Sequence, residues 1–385
     1  MASGTSGVRR TSRRRVLLGA SALPAALLLP GCGRLPFLGP EPGSCLSPEE
    51  ELPEFDDGGR GIPAGGRGRP HQPSPSRWFN DAGLAVSPDG ALIAAAEHPD
   101  RSQLDLADSY GVVLWDTAEG KVLRRIPGPA AGAIAWHPDG ALLAIADTRH
   151  IAIVDVVGEL RWNLIGHGKP RDTAARIMGL AFSPDGTQLA STSTDGTVRL
   201  WDMDGDRCGA GHILQPDSPA PATLAYLSDG SALVVGGTSP HGRDDPPNGI
   251  EHWDPATGER LEVPDDGERI LVDFGLGADD SRVEVTYAPE TLEVITADGE
   301  RSSGPELTDT THAARLAVGS GSRVALQAPG ELLVWDRDTG EETRFEDQYL
   351  QRICWSPDES VLYTLEEAEG VAAWDGESWR GFELP

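Results

Sequence analysis

The stretch Leu189-Ala190-Ser191-Thr192-Ser193-Thr194-Asp195-Gly196-Thr197-Val198-Arg199-Leu200-Trp201-Asp202 decides the reading of this chain. Two β-prone runs flank Thr194-Asp195-Gly196, a tight-turn composition. The first run follows Ser183-Pro184-Asp185-Gly186. There Pro fixes φ at the first corner and Gly supplies a positive φ at the end, which is hairpin chemistry. The same turn stands at Ser87-Pro88-Asp89-Gly90 and His137-Pro138-Asp139-Gly140, with degenerate copies at Ser228-Asp229-Gly230 and Ser356-Pro357-Asp358-Glu359. The closing pair Trp201-Asp202 recurs as Trp115-Asp116, Trp253-Asp254, Trp335-Asp336 and Trp374-Asp375. Val154 and Thr296 fill the two gaps, so seven units follow one another at steps of 39 to 52 residues. A period of about 40–45 residues built from strands and turns marks a repeat architecture, in which each unit needs its neighbours to bury its faces.

The chain resembles the WD40-repeat family over residues 77–385, most specifically in the third unit, where Gly166-His167 precedes the stretch quoted above. The resemblance implies an all-β fold, a seven-bladed β-propeller of four-stranded antiparallel blades. Outer strands are expected at Lys121–Ile126, Glu159–Ile165, Cys208–Leu214, Glu259–Val263, Glu300–Glu306, Glu341–Phe345 and Ser378–Glu383. Each unit then carries its own outer strand, and the ring does not require a borrowed N-terminal strand to close, although Arg77-Trp78-Phe79 suits pairing at the seam. A closed ring leaves only short edges, which fits a monomer. The resemblance also places the family's buried hydrogen-bonded tetrad on His167, Ser193, Asp195 and Trp201: Asp195 accepts from the His167 ring, which donates onward to Ser193, and Ser193 accepts from the Trp201 indole. These residues also spell a Ser-His-Asp set, but the family context makes them structural. The other units lack the full set and are held by apolar packing.

The first residues read as an address. Arg9, Arg10, Arg13, Arg14 and Arg15 precede an apolar run, Val16 to Leu29, interrupted by Pro24. At 1.5 Å per residue this run falls short of a hydrocarbon core of about 30 Å, so it reads as an export signal rather than a span. Arg13 and Arg14 lie in a segment that resembles the twin-arginine translocation motif, and Leu29-Pro30-Gly31-Cys32 resembles a bacterial lipobox. The implied organisation is a signal peptide over 1–31, a Pro/Gly-rich tether over 32–76 starting from a lipidated Cys32, and the propeller over 77–385. Lipidation would place the protein on the outer face of the cytoplasmic membrane.

Composition excludes other classes. The formal charge is -29, and outside residues 1–32 only 27 of the 32 basic residues face all 61 acids. So acidic a body repels phosphate backbones, and no nucleic-acid partner is expected. Cys32, Cys45, Cys208 and Cys354 show no zinc-ligand spacing. Asp202, Asp204 and Asp206 alternate like a calcium loop, but Arg207 and Ile213 stand where that loop needs Gly and Glu. Gly166-His167-Gly168-Lys169 lacks the first Gly and the Ser/Thr of a phosphate loop. The expectation is no metal, no cofactor and no catalytic set.

The connections carry the functional signal. In the implied geometry the a–b and c–d turns share one face of the disc, and the b–c and d–a connections share the other. The first set is tight. The second holds insertions at His98–Asp108, Gly168–Arg176, Gln215–Pro221 and Ser239–Asn248. Long loops in a compact repeat are where function concentrates. These carry Arg101, Lys169, Arg171, Arg176, His241, Arg243, Asp244 and Asp245, a mixture suited to a protein or peptide partner. The leading expectation is a non-enzymatic binding or scaffold module. The rival is a lactonase- or quinoprotein-like propeller enzyme with a central-channel site, for which His137, Asp273 and Arg352 are the candidates near the inner strands.

Overall fold

Six of the seven a–b turns are closed by their own side chains, and the blade 6 turn is closed by Glu359 of blade 7. In blade 3, Ser183 Oγ donates to Asp185 Oδ1 at 2.6 Å and accepts from the Gln188 amide at 3.0 Å, while Asp185 takes the Thr187 amide at 3.0 Å. Gly186 holds φ +74, the left-handed conformation that glycine adopts without cost. In the blade 5 turn Asp280, and in the degenerate blade 7 copy Glu359, take that conformation instead. Each of these carboxylates clasps the preceding blade: Asp280 accepts from the Ser228 amide and hydroxyl, and Glu359 from the Gly321 and Arg323 amides. Interblade hydrogen bonds thereby offset the backbone strain.

The computed structural model describes residues 44–46 and, between 83 and 383, all but short connecting stretches, of which 98–110, 169–174, 238–248, 263–269 and 308–314 are the longest. The chain forms seven sheets, each built on four consecutive antiparallel strands, and the sheet of blade 2 gains a fifth, parallel strand. Their inner strands are Leu84–Val86, Ala133–Trp136, Ile177–Phe182, Pro221–Tyr226, Ile270–Leu276, Arg315–Val318 and Leu350–Trp355. Each touches the next, and the seventh touches the first, so the ring is closed. This is the expected seven-bladed propeller. The outer strands fall where the repeat places them, from Lys121–Pro127 in blade 1 to Trp379–Gly381 in blade 7.

The Trp-Asp pair has two separate jobs. The Trp packs between blades, and Trp201 is buried among Ile151, Ile153, Leu189 and Met203. The Asp caps the c–d turn: Asp254 takes the Ala256 and Thr257 amides, and Asp336 takes those of Asp338 and Thr339. In blade 5 Thr296 does the capping, accepting from the Glu300 amide at 3.0 Å. Thr296 thus holds the Asp position, and Ile295, one residue earlier, holds the Trp position that the repeat count gave to Thr296. Opposite Ile295 stands Arg282, buried and 2.5 Å from the buried Glu284, with His252 of blade 4 at 3.4 Å from its guanidinium. The seam between blades 4 and 5 therefore adds an ion pair to its apolar contacts among Val234, Ile250, Leu271 and Phe274.

The ring closes between blades 7 and 1 through residues 380–383. Phe382 is buried against Tyr363 and Gly120, the Glu383 amide donates to Gly120 O at 2.7 Å, and the Trp115 indole donates to Glu383 O at 2.9 Å. Arg380 donates to the Thr117 and Ala118 carbonyls. No N-terminal strand enters this seam among the described residues; Arg77-Trp78-Phe79 lies outside them. One segment of the expected tether is ordered on the body: Ser44–Leu46 pairs in parallel with Asn163–Ile165, the outer strand of blade 2. Phe382→Ala removes the ring that fills the seam and is expected to cost about 3 kcal/mol. Leu261→Ala, an exposed residue on the opposite rim, is expected to change stability by less than about 0.5 kcal/mol, both read by urea unfolding.

Candidate functional site: the loop face and the channel beneath it

Every inner strand starts at the face that bears the b–c and d–a connections, and the opposite face bears only the capped turns described above. On the loop face the connections 98–110, 169–174 and 238–248 hold Arg101, Lys169, Arg171, His241, Arg243, Asp244 and Asp245, all outside the described residues. Arg176 is described: it is exposed at the blade 3 edge of this face, its amide donating to Thr194 Oγ1 at 2.9 Å and its carbonyl accepting from the Thr194 amide at 2.9 Å.

The loop roots are built firmly. His167 and Gly168 lead into 169–174, and Asp195 fixes both: Oδ2 lies 3.1 Å from His167 Nδ1 and accepts the Gly168 amide at 2.7 Å. His167 Nε2 lies 2.8 Å from Ser191 Oγ, and the Trp201 indole donates to the same oxygen at 3.0 Å. The tetrad is thus His167, Ser191, Asp195 and Trp201. Ser193 does not belong to it; its hydroxyl instead accepts the Asp195 amide at 3.1 Å in the b–c turn. Register explains the correction. Trp201 pairs with Leu189, which leaves Ser191 diagonal to the indole, while Ser193 is a further two residues, about 7 Å, along the strand. The direction of donation also differs from the expectation: a neutral ring that gives its Nδ1 proton to Asp195 accepts from Ser191, so the chain of donors runs from Trp201 through Ser191 to His167 and ends at Asp195.

Charge follows from this burial. Desolvation raises the Asp195 carboxyl, but the His167 ring, the Thr197 hydroxyl and the Gly168 amide outweigh it and hold it well below the usual range. Desolvation lowers His167, more than Asp195 restores, so the ring stays neutral. The arrangement has no exposed nucleophile and serves to hold the loop roots. Trp253 of blade 4 has no partner for its buried indole N–H, consistent with a tetrad in blade 3 alone.

One constellation on this face has no counterpart in the sequence expectations, and a second extends the channel candidates Asp273 and Arg352. At the 215–218 connection, buried Glu251 accepts the Asp217 amide at 2.7 Å, Arg260 reaches Asp217 Oδ2 at 2.5 Å, and burial pushes the Glu251 carboxyl up. Beneath the loops a central cavity of about 260 Å³ is lined by inner-strand residues of all seven blades. Its charged lining residues are Asp273, Arg315 and Arg352. Asp273 is raised by burial against the pull of Arg315, and it accepts from Thr223 Oγ1 at 2.8 Å and the Leu316 amide at 3.0 Å. Gly179 lets blades 3 and 4 approach here, since a Cβ would meet Ala222 O at 2.7 Å. His137, proposed with Asp273 and Arg352, is not in the channel. It begins an a–b turn on the opposite face, with Nε2 3.0 Å from Gly186 O and its ring edge-on to Phe182. The acid, base and guanidinium of the rival enzyme reading are therefore not brought together. Among the described residues, no group of three or more His, Cys, Asp or Glu is placed to hold a metal.

With this geometry in hand, the chain can be compared with known proteins. The WD40 family (WD domain, G-beta repeat) matches residues 158–202, from the blade 2 c–d turn to Asp202. Similar curated proteins include the periodic tryptophan protein 2 homolog of Neurospora crassa, 24% identical over 40% of this chain and 18% of that protein. The small ribosomal subunit protein RACK1 of Caenorhabditis elegans is 29% identical over 31% of this chain and 36% of that protein. The target of rapamycin complex subunit wat1 of Schizosaccharomyces pombe is 30% identical over 40% and 45%. The matches thus span less than half the length of these relatives. Among solved structures, hydrazine synthase of Kuenenia stuttgartiensis aligns over 82% of this chain and 99% of that one with a TM-score of 0.62 at 16% identity. The Cps50 (Swd1) β-propeller domain of Myceliophteria thermophila aligns over 77% and 96% with a TM-score of 0.58 at 17% identity. These structural likenesses carry the fold alone.

Ser191→Ala orphans the indole N–H and leaves His167 Nε2 without its donor, with an expected loss of about 2 kcal/mol; Ser193→Ala is expected to lose less than about 1 kcal/mol. Equal losses would contradict the assignment. Both shifts at the pair are downward, so the folded state binds fewer protons than the unfolded one. The pair's contribution is fully present above the ordinary His value of 6.5; the His167 part is lost as pH falls below 6.5, and the Asp195 part only as pH falls below the ordinary Asp value of 3.8. Urea midpoints measured between these values are expected to fall with pH, and to fall less in His167→Gln.

Proposed function

We propose that this protein is an exported propeller, anchored through a lipid on Cys32 at the outer face of the cytoplasmic membrane, that holds a protein partner on its loop face and performs no chemistry of its own. The observation that carries the reading is the asymmetry of the two faces. One consists of short turns whose polar groups are consumed by their own Asp and Ser side chains. The other is rooted on hydrogen-bonded residues and bears the long connections, whose sequences carry Arg and Asp. Rigid roots under variable loops are how binding faces are usually built. Two relatives point the same way by name, as a ribosomal subunit protein and a subunit of a multiprotein complex.

Twin-arginine export suits a body that folds before it crosses, and Arg13 and Arg14 are the residues assigned to that route. The Cys32 thiol would carry the anchor, and the acidic body argues against nucleic acid as partner. Affinity capture from envelope extracts with the full chain is expected to retain a partner that is lost when 168–176 and 239–248 are both shortened. Retention by the shortened chain would remove the loop face from consideration. Separately, Cys32→Ser is expected to move the protein from the membrane to the soluble fraction and to abolish labelling by radioactive fatty acid.

A further inference from the structure

Among the described residues five large apolar side chains are exposed, and four belong to one sector of the rim. Leu123 is 56% exposed in the outer strand of blade 1, Val157 and Leu160 are 51% and 50% exposed in the c–d turn and outer strand of blade 2, and Trp379 is 37% exposed in the outer strand of blade 7. Blades 7, 1 and 2 are consecutive around the ring. The blade 2 turn packs on the blade 1 outer strand, since a Cβ on Gly158 would lie 3.5 Å from Ile126. Leu123 is the extra residue of a β-bulge between the partners of Leu114 and Trp115, and Arg161 is the extra residue of a matching bulge in blade 2. Bulges of this kind re-aim side chains. Trp379 is held edge-on to Phe345.

Charge on the same strands runs against the rest of the molecule. The outer strands of blades 7, 1 and 2 carry Lys121, Arg124, Arg125, Arg161 and Arg380 and no acid, in a chain of net charge -29. The nearest acids lie on the adjoining segments: Glu119 meets Lys121, Asp155 and Glu159 face Arg161, and Glu383 accepts the Val122 amide, while Arg124 and Arg125 are exposed. The chain preceding the propeller also reaches the body here, because Ser44–Leu46 pairs with the outer strand of blade 2. Eleven residues lie between Cys32 and Ser44, a reach of at most about 40 Å.

The geometry points to a second membrane contact: the rim of blades 7, 1 and 2 rests on an anionic lipid surface, with Leu123, Val157, Leu160 and Trp379 at headgroup depth and the exposed Arg124 and Arg125 over the phosphates. The exposed side chains and their charge carry this by themselves; only the length of the leash rests on the lipid-anchor reading.

The test uses the full chain with its four cysteines replaced by serine, so that no acyl group is present, and a single new cysteine at Leu123→Cys, Leu160→Cys or Leu261→Cys. Each is labelled with a polarity-sensitive dye and mixed with vesicles of phosphatidylglycerol and brominated phosphatidylcholine. Blue-shifted, quenched emission is expected at 123 and 160, with no change at 261 on the far rim. Adding Arg124→Glu and Arg125→Glu is expected to raise the lipid concentration needed at 160 by about tenfold or more. Equal quenching at all three positions, quenching unaffected by the charge reversals, or no quenching at 123 and 160 would each overturn the proposal. None of these outcomes touches the Cys32 reading, which the fractionation and labelling of Cys32→Ser decide.

Discussion

A four-stranded blade has two apolar faces and no partner of its own, so everything in this molecule depends on blades packing against one another. Trp201 lies among residues of blades 2 and 3, Trp253 among those of blades 3 and 4, and Trp374 among those of blades 6 and 7. Burial of this kind stabilises only when the neighbour is present. The ring form follows, because any linear stack would leave two faces exposed. Where the Trp is missing, as at Ile295, Arg282, Glu284 and His252 join the apolar cluster of Val234, Ile250, Leu271 and Phe274 at the seam. A buried ion pair is a poor source of stability but punishes a wrong partner, which suits a seam that must form at one place in the ring.

The fold was legible because each turn is encoded locally. A Ser-Pro-Asp-Gly turn closes with its own hydroxyl and carboxylate, so its signature needs no knowledge of the rest of the chain. The tetrad was legible in type but not in register. Ser191 and Ser193 share a strand face, and only the pairing of Trp201 with Leu189 tells which one the indole meets. The channel was half legible: Asp273 and Arg352 line it, but Arg315 enters from the first position of its strand, and His137 is turned away because strand a carries it to the opposite face. Glu251 and Arg260 were illegible, since their meeting depends on where the 215–218 connection folds back.

The exposed sector of blades 7, 1 and 2 illustrates a related point. No motif marks Leu123 or Leu160, and in the repeat they read as ordinary outer-strand residues. Leu123 is the extra residue of one bulge and Leu160 lies next to the extra residue of another, features that only the hydrogen-bond register reveals. Composition even pointed away from them, because a chain average of -29 hides five basic residues on three adjacent strands.

The seam itself has a kinetic corollary. Phe382 and Glu383 meet Gly120 and Trp115 across more than 260 positions of chain. Each blade is complete in itself, so blades can form in turn as they emerge, but the contact that shuts the circle must wait for the seventh. Loop-closure entropy is then met in one late step rather than gradually. Until that step the first and last blades are raw edges, and a chain in this half-shut condition is the one most open to proteases and to pairing with a second copy of itself.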